Sequence, residues 1–578
     1  MRKTGNSNMK SKDIKGNVHG KKVVLMLLPF WTPLLPPQGL ACIKGFLQKY
    51  GHRVKTVDAN LDSHFKRLYD LYFDTLKGFI PRTRWGNFYN IGNDVWREHM
   101  MAHINYNDEN RYIELVKILV ERIFYSPLSD EQVRQLNRVL QEFYTRLEMY
   151  LLELVEKEQP QVLGISVYRD TLASTLFAFR LIRSKYPQIK TVMGGGVFTI
   201  QMPVGSPNLD FFLEKTKPYI DKIIVGEGEY LMLRLLEDKL PVNQRLFTGK
   251  DLNPGEKIGF APVDMFDFSD FSHYSYNYQA AQGSTGCPNQ CSFCNVASFY
   301  GKFRHKDPAR TAEEMIYLYK KNGIQLFYML DALLNPVITD LAEAFIRSDT
   351  ALYWDGYLRV DKTLDMEKAL LWRQGGFYRA RIGVESGSQK ILDLMNKGIT
   401  LDHTCTTISS LAYAGIKTTA YMVVGHPGET EEDFQQTLDL IEQLKNDLWE
   451  VECNPFTYFY SGQGHSDQWN SRRKLLYPEW ATPMLINRTW YVDGTPTQEQ
   501  MYNRVYRFAN HCKKLGVSIA WSLHSVNQSD ERWKKLHKNA VPSVLELIKK
   551  NAYIDECKHL STRRFAKNIQ QDDGNFDF

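Results

Sequence analysis

The segment "STGCPNQCSFCNV", residues 284–296, places three cysteines within eight positions: Cys287, Cys291 and Cys294. A closed structural zinc site takes four ligands, and a bound 4Fe–4S cluster normally takes four thiolates. Three thiolates in one loop therefore leave one metal position free. On spacing alone, an iron–sulfur site, a three-cysteine zinc site and a chance cluster all stay open.

The sequence that follows the cysteine loop predicts a partial barrel over residues 275–465. Helical segments separate six strand candidates, and capping boxes at Thr311 with Glu314 and at Thr430 with Asp433 are expected to start two of these helices. The candidates are "YNYQAAQ", "IQLFYML", "ALYWDGYLR", "FYRARIGVE", "IKTTAYMVVG" and "LWEVECNPFTYFY". Chemistry in such barrels lies at the C-terminal ends of the strands, where the cysteine loop falls.

The sequence pattern of residues 22–240 predicts a separate α/β domain. The continuous apolar run "KKVVLMLL" is typical of a strand buried on both faces of a parallel sheet. Strands and helices alternate from there as in a doubly wound sheet. A helical insertion over 61–158, with a capping box at Ser129 and Gln132, interrupts this alternation.

The remaining segments are assigned by composition. Residues 1–21 are polar and basic and are expected to be disordered, and residues 241–274 are expected to be a linker. The C-terminal region, residues 466–578, shows helical patterns near 497–515 and 539–550.

The bulk numbers describe an ordinary globular protein. The chain has 578 residues, 43% hydrophobic and 24% charged, with a net charge of +6. A net charge this small does not indicate a nucleic-acid-binding surface. The apolar run "VVLMLLPFW" is too short to span a membrane. We expect a cytoplasmic protein. Five scattered cysteines fit a reducing compartment and are expected in the core: Cys42, Cys405, Cys453, Cys512 and Cys557.

The motif C-x₃-C-x₂-C, with the aromatic Phe293 before its last cysteine, resembles the signature of radical S-adenosylmethionine (SAM) enzymes. The resemblance implies that the three thiolates hold a 4Fe–4S cluster whose open iron binds SAM. Reductive cleavage of SAM then yields a 5′-deoxyadenosyl radical. It also implies an electron donor such as flavodoxin or ferredoxin.

Three further phrases match the same family in the same order. In "FYMLDALLNP", "RIGVESGS" and "MVVGHPGET", the resemblance implies that SAM meets Asp331, Asn335, Glu385, Ser386 and Gly425. It also implies a SAM contact for Phe293 of the cysteine motif. Structural roles are the alternative, such as a buried salt bridge for Glu385.

Three nearby side chains have open assignments. Arg359 is a candidate for a ligand or substrate carboxylate, or for Asp361 or Glu385. His426 is expected to be structural. Cys453 would face the substrate cavity if its side chain points inward.

The N-terminal domain also carries a resemblance. "PPQGLACIKGFLQKYGHRVKTVDAN", "LGISVYRDT", "MGGGVFT" and "IIVGEGEYLMLRLL" look like the cobalamin-binding domain that precedes the barrel in one subgroup of radical SAM enzymes. The resemblance implies a cobalamin site at one edge of the sheet, formed by Ser166, Gly194, Gly195, Gly196, Gly226 and Glu227. Glycines let the backbone approach the cofactor closely.

One motif departs from the wider cobalamin pattern, in which a histidine of D-x-H-x-x-G ligates cobalt. The nearest match, "DSHFKR" with His64, lacks the glycine and follows the second strand instead of the first. We expect His64 to be a surface residue. A domain that keeps the fold but has lost the cofactor stays an alternative.

The resulting fold class is α/β, with a doubly wound (Rossmann-like) cobalamin-binding domain, a partial (β/α)₆ radical SAM barrel and a small C-terminal helical region. The resemblance implies a cobalamin-dependent C-methyltransferase acting on an unactivated carbon of a natural product or peptide. Radical cyclisation or rearrangement without methyl transfer is the alternative. A tRNA-modifying enzyme fits less well, because the basic footprint is weak.

Overall fold

The structure is a computed structural model that describes residues 20–271, 276–463, 467–519 and 523–551. Most of the predicted N-terminal tail lies outside the described residues. Two parallel sheets organise the chain, one of six strands and one of seven.

The first sheet has the order β2-β1-β3-β4-β5-β6, and every pairing in it is parallel. Its strands are β1 (Lys22–Leu27), β2 (Arg53–Asp58), β3 (Val162–Ser166), β4 (Lys190–Gly194), β5 (Lys222–Ile224) and β6 (Leu246–Phe247). Strand order reverses between β1 and β3, which is where doubly wound sheets bind ligands. The stretch predicted to be a linker contributes β6, because this short strand completes the sheet edge beside β5.

Helices cover both faces of this sheet. They are α1 (Gln38–Gln48), α2 (Ser63–Phe79), α3 (Phe88–Asn105), α4 (Glu109–Phe124), α5 (Asp130–Glu158), α6 (Leu172–Lys185), α7 (Val197–Ile200), α8 (Pro207–Thr216) and α9 (Glu229–Leu236). The predicted insertion forms α2–α5, and the capping box at Ser129 and Gln132 starts α5 as expected.

The second sheet has the order β17-β14-β13-β12-β11-β10-β7 and is an open barrel with β7 and β17 at its edges. Its strands are β7 (Gln279–Ala281), β10 (Leu326–Met329), β11 (Tyr353–Arg359), β12 (Phe377–Glu385), β13 (Lys417–Val424), β14 (Glu450–Pro455) and β17 (Ser518–Ile519). All six predicted strands are present. The seventh comes from the C-terminal region, which the sequence analysis treated as helical.

Short strand pairs and further helices complete the half of the chain that contains the barrel. The short strands are β8 (Ser284–Thr285), β9 (Arg304–His305), β15 (Arg473–Leu475) and β16 (Trp490–Val492). The helices are α10 (Val296–Tyr300), α11 (Pro308–Asn322), α12 (Ile338–Ser348), α13 (Met366–Gln374), α14 (Gln389–Leu394), α15 (Leu401–Tyr413), α16 (Glu431–Gln443), α17 (Tyr460–Gln463), α18 (Asp467–Asn470), α19 (Thr482–Leu485), α20 (Gln498–Leu515), α21 (Leu523–Leu536) and α22 (Val544–Asn551).

The capping box predicted at Thr311 is wrong. The N-cap of helix α11 is Asp307, four residues before Thr311. The Asp307 side chain accepts the backbone N–H of Ala309, and Pro308 occupies the first turn. Proline is well suited to that position because it has no N–H to satisfy. The box at Thr430 and Asp433 starts α16 as predicted.

Cys453 faces away from the barrel lumen. It is 1% exposed on β14 and packs on the side of α20, where Cys512 also lies. Strand alternation explains this, because its neighbours Glu452 and Asn454 take the inward positions. The inward orientation considered for Cys453 is therefore wrong.

Candidate functional site

The three-cysteine loop runs from the end of β8 to the start of α10, above the C-terminal end of the barrel. The turn after α14 holds it in place: Ser292 N–H donates to the Met395 carbonyl at 2.8 Å, and Asn396 Nδ2 donates to the Gln290 carbonyl at 2.9 Å. Hydrogen bonds to the loop's backbone, one of them from a side chain, therefore hold the loop without involving its thiols.

The three thiols are partly exposed and lie close enough to interact electrostatically. Burial raises the pKa of Cys294, and the neighbouring thiols of Cys291 and Cys287 add to the effect. Nowhere in the described ranges do three His, Cys, Asp or Glu side chains converge as around a single metal ion. Three thiolate donors in one loop do fit a 4Fe–4S cluster that keeps one iron open.

Two cations flank the cysteine loop. Arg359, at the end of β11, donates from Nη1 to the Cys291 Sγ at 3.3 Å. Lys397 places its Nζ 5.6 Å from the centre of the Phe293 ring. Positive charge beside a thiol favours the thiolate, which is the form that binds metal. The structure therefore directs Arg359 to the cysteine loop.

Glu385 lies at the last position of β12 with a φ of 70°. Its carboxylate accepts from Lys397 Nζ at 2.6 Å, and each side chain is only 8% exposed. This is the buried salt bridge considered as the alternative for Glu385. Contact between Glu385 and SAM stays a prediction, and Lys397 is a site residue that the sequence analysis missed.

Asp331 and Asn335 hold loops next to the cysteines. Asp331 is fully buried and accepts the N–H of Gly283 at 3.0 Å, just before β8; burial raises its pKa to about 6. Asn335 exchanges two hydrogen bonds with the backbone of Arg359, at 2.8 and 2.9 Å. These contacts support positioning roles, and direct contact with SAM stays a prediction for both residues.

Ser386 and Gly425 occupy buried turns at the ends of β12 and β13. The Ser386 hydroxyl lies 3.3 Å from that of Thr437 on α16. Gly425 has a φ of 81°, and an added Cβ would overlap the side chain of Met501 on α20. Its N–H donates to Glu429 Oε2 at 2.8 Å. These surroundings do not test the prediction that Ser386 and Gly425 contact SAM.

His426 follows this turn and is fully buried. Its ring meets Phe456 and Trp469 edge-on, with centroids at 5.2 and 5.5 Å, and burial lowers its pKa to about 4. This packing agrees with the structural role expected for His426.

The residues predicted to bind cobalamin lie at the C-terminal edge of the first sheet. Ser166 ends β3, and Gly194 ends the neighbouring β4. Gly195 has a φ of 108°, and an added Cβ would lie 2.6 Å from the Val167 carbonyl oxygen. Glycine is thus required by the turn itself, in addition to any ligand.

The other predicted residues of this edge differ in surroundings. Gly226 has a φ of 97° and open space beside it. Glu227 accepts the N–H of Ile258 at 3.0 Å and so holds the segment between the two halves. A Cβ on Gly196 would meet the Tyr168 ring at 3.0 Å.

A cavity of about 760 Å³ lies between the first sheet and the barrel. Leu27, Ser166 and Tyr168 line it from the edge of the first sheet, while Tyr328 and Arg381 line it from the barrel lumen. Ser166 is the one predicted cobalamin residue in its wall.

The glycine turn and the cysteine loop are linked through a short helix. Helix α17 packs against α10, which follows the cysteines, and against α7, which follows Gly196. The two predicted cofactor regions therefore meet at the interface between the domains.

His64 lies on the protein surface, where its Nδ1 contacts Asp62 at 2.9 Å. Its side chain is 49% exposed. The position agrees with the expectation that it is a surface residue.

Comparison with known proteins supports the assignment of the three-cysteine loop to a radical SAM domain. Residues 282–441 match the family model of the radical SAM superfamily. The anaerobic magnesium-protoporphyrin IX monomethyl ester cyclase of Rubrivivax gelatinosus is 26% identical over 323 residues, 51% of this chain and 56% of that protein. An uncharacterized methyltransferase of Pyrococcus horikoshii is 24% identical, over 51% of this chain and 67% of that protein. The chain thus spans little more than half the length of the first of these relatives.

Among solved structures, the radical SAM methyltransferase TsrM from Kitasatospora setae, with cobalamin and a [4Fe-4S] cluster bound, superposes with a TM-score of 0.57. The match covers 94% of this chain and 100% of TsrM at 14% identity, so it establishes a shared fold.

The chain therefore carries a radical SAM domain built around the three-cysteine loop. An N-terminal domain precedes it, and together they share the fold of TsrM. The predicted α/β class and the family resemblance are confirmed. Within the described ranges, no helix is both long and apolar enough to cross a membrane.

Proposed function

We propose that this protein is a cobalamin-dependent radical SAM enzyme. The single observation that carries the proposal is the shared cavity, bounded by the edge of a doubly wound sheet on one side and by the lumen of the radical SAM barrel on the other. A cofactor at that edge and a substrate in that lumen would face each other across one cavity.

A bound 4Fe–4S cluster would supply the electron that cleaves SAM, and bound cobalamin would supply a methyl carrier. The three cysteines would be the cluster's protein ligands. Arg359 would place positive charge beside the Cys291 thiolate. The Glu385–Lys397 pair and the Asp331 carboxylate would hold the loop's surroundings rigid.

The N-terminal domain would also exclude water. The segment between β1 and α1 places Trp31, Pro33 and Leu35 in the cavity wall, and Leu35 packs against aromatic residues of the barrel. Closing the barrel in this way protects reactive species from solvent. The proline-rich composition of the segment limits the conformational entropy that this closure costs.

Methylation of an unactivated carbon is the reaction we favour. The two-domain fold shared with TsrM supports it, and so does the similarity to the Pyrococcus horikoshii methyltransferase. Radical cyclisation is the second candidate, because the Rubrivivax gelatinosus relative is named as a cyclase. We propose a small molecule or peptide as substrate and a flavodoxin or ferredoxin as electron donor.

The decisive experiment quantifies cobalamin per chain. Protein purified without oxygen would have its cluster rebuilt, be offered cobalamin and be analysed by mass spectrometry after gel filtration. We expect about one cobalamin per chain. A protein that holds iron and cleaves SAM to 5′-deoxyadenosine but retains no cobalamin would contradict the cobalamin half of the proposal.

SAM carrying a deuterated methyl group separates the two candidate reactions. Transfer of the label to a product supports methylation. A product formed with one 5′-deoxyadenosine and no label supports cyclisation or rearrangement.

A further inference from the structure

Besides Arg379 and Glu450, which line the cavity one layer lower, five consecutive barrel strands each place one inward side chain in its wall. These residues, here called the lumen layer, are Tyr328, Tyr357, Arg381, Tyr421 and Glu452. Strand pairing sets Tyr357 opposite Arg381 and Tyr421 opposite Glu452. The Tyr328 and Tyr357 hydroxyls lie 3.1 Å apart, and the Tyr357 and Tyr421 ring centres lie 5.8 Å apart.

On β11, the lumen-layer residue lies two positions before the residue that contacts the cysteine loop. Tyr357 precedes Arg359 by two residues on β11, and Arg359 contacts Cys291. Two residues of strand correspond to about 7 Å. The layer is therefore adjacent to the site where SAM cleavage would occur.

The arginines of the lumen are already neutralised. Arg381 donates to Asp355 at 2.7 Å, in a pair where the Asp355 side chain is fully buried. Arg379, one layer lower, donates to Glu450 at 2.7 Å. Neither guanidinium offers an unpaired positive charge to a ligand.

Glu452 has no such partner. Its carboxylate accepts one hydrogen bond, from Asn454 Nδ2 at 3.2 Å, and no ion pair to it occurs among the described residues. Burial raises its pKa. Asn454 is itself held by Asn90 of the insertion at 2.7 Å, so this edge of the layer is fixed from above.

The other carboxylates of the cavity wall have polar partners that are part of the fold. These pairs are Asp58 with Tyr276, Glu229 with Cys42 and Glu314 with Lys306. Glu452 is thus the carboxylate that the lumen layer itself presents to the cavity, and it has no ion-pair partner among the described residues.

We propose that the lumen layer binds the substrate through a protonated amine that contacts Glu452. The tyrosine rings pack on the adjoining hydrocarbon. Arg381 already lies over the Tyr328 and Tyr357 rings, at 4.8 and 5.9 Å from their centres, so Tyr421 is the ring of the layer that is left to attract the ligand's cation through its face. A charge-assisted hydrogen bond in this cavity gives both affinity and orientation. The inference rests on the proposed function, because it places the substrate in the cavity shared with the cofactor edge.

Phenethylamine is the probe, with 2-phenylethanol as its neutral counterpart of similar shape. Calorimetry would use the full chain, cluster-loaded and free of oxygen, with SAM present. We expect the amine to bind about tenfold more tightly than the alcohol, and Glu452→Gln to remove that preference while leaving alcohol binding unchanged. Glu442→Gln, an exposed residue of α16, is the matched control and should keep the preference.

Three results would overturn the inference. They are equal affinity for the two probes, an amine preference that survives in Glu452→Gln, and loss of amine binding when SAM is added. The last would assign Glu452 to the SAM cation. Iron content of Glu452→Gln matching that of Glu442→Gln shows that the variant is folded. Cobalamin content of the unmodified chain, measured separately, distinguishes failure of the proposed function from failure of this inference.

Discussion

The buried ion pair between Lys397 and Glu385 is predicted to stabilise the barrel only as a pair. The Nζ–Oε1 distance is 2.6 Å, and each side chain is 8% exposed. Lys397→Met leaves the Glu385 carboxylate buried without a cation, which costs about 3–5 kcal/mol. Glu385→Met leaves the lysine in the same position and should cost a similar amount.

The double variant Lys397→Met with Glu385→Met should recover most of that loss. Replacing both members of a buried pair by apolar residues of similar volume is often close to neutral. We therefore expect a coupling free energy of about 3 kcal/mol or more between the two sites, because the partners are in direct contact. Urea unfolding of oxygen-free protein, followed by tryptophan fluorescence, measures each corner of the cycle.

The matched control is Lys534→Met. Lys534 and Glu546 have a similar Nζ–O distance of 2.7 Å, but their side chains are 42% and 49% exposed. Exposed pairs contribute less than about 1 kcal/mol. If the costs of the two buried single variants simply add in the double variant, the reasoning about a buried pair is wrong.

The same variants separate stability from ligand binding. If Glu385 also contacts SAM, the double variant should regain stability but still bind SAM weakly, whereas wild-type SAM affinity in the double variant would assign Glu385 a purely structural role. Equilibrium dialysis with labelled SAM measures the affinity.

Four further predictions concern other parts of the site. Replacing the three clustered cysteines together by alanine should abolish iron binding and 5′-deoxyadenosine formation, whereas Cys512→Ala, outside the loop, should retain iron; SAM cleavage by the triple variant would refute the assignment. Gly195→Ala should cost about 1–3 kcal/mol and lower the cobalamin retained per chain, because its φ of 108° and the nearby Val167 backbone leave no room for a Cβ; wild-type retention would show that the turn tolerates a side chain. The pKa of Asp331, raised to about 6, predicts a stability contribution of about 3 kcal/mol that is present below pH 4 and lost as pH rises through 6. In Asp331→Asn, the urea midpoint should therefore change less between pH 4 and pH 7 than it does in the unmodified protein. An equally large change in the variant would contradict this. His64→Ala should leave the cobalamin absorption spectrum unaltered, and a spectral change would reveal a cobalt ligand.

Much of the fold could be predicted because its signals are local. Strand β12 occupies Phe377–Glu385, the same nine residues as the predicted segment "FYRARIGVE". The capping boxes before α5 and α16 also lie where expected. The failure at α11 was local too, since Asp307 and Pro308 form a stronger helix start than the threonine that follows.

The site was only partly predictable because its contacts are not local. The three cysteines lie within one loop, so their spacing alone revealed them. Arg359 and Cys291 are separated by 68 residues, and nothing in either segment indicates that the guanidinium meets the thiol. Lys397 lies in a turn with no pattern of its own, and only the folded barrel brings it against Glu385.

The lumen layer could have been found from alternation. Polar side chains recur at every second position along β11 and β14, as Tyr353, Asp355, Tyr357 and Arg359 in "YWDGYLR" and as Glu450, Glu452 and Asn454 in "EVECN". In a parallel strand, such a period places polar side chains on one face, which in a barrel is the lumen. The same segments that were predicted to be strands therefore also indicate which side chains face the lumen.

The predicted cofactor residues and the lumen layer lie on different parts of the fold, and this difference has a consequence for substrate specificity. The cysteines and the other residues predicted to bind cofactors lie on loops or at the last positions of strands, whereas the lumen layer lies within five strands. Residues on strands are held more precisely than residues on loops. Substitutions within the lumen layer should therefore change which molecule binds while leaving iron content intact. Loop substitutions should do the reverse, and the shared cavity is where the two contributions meet.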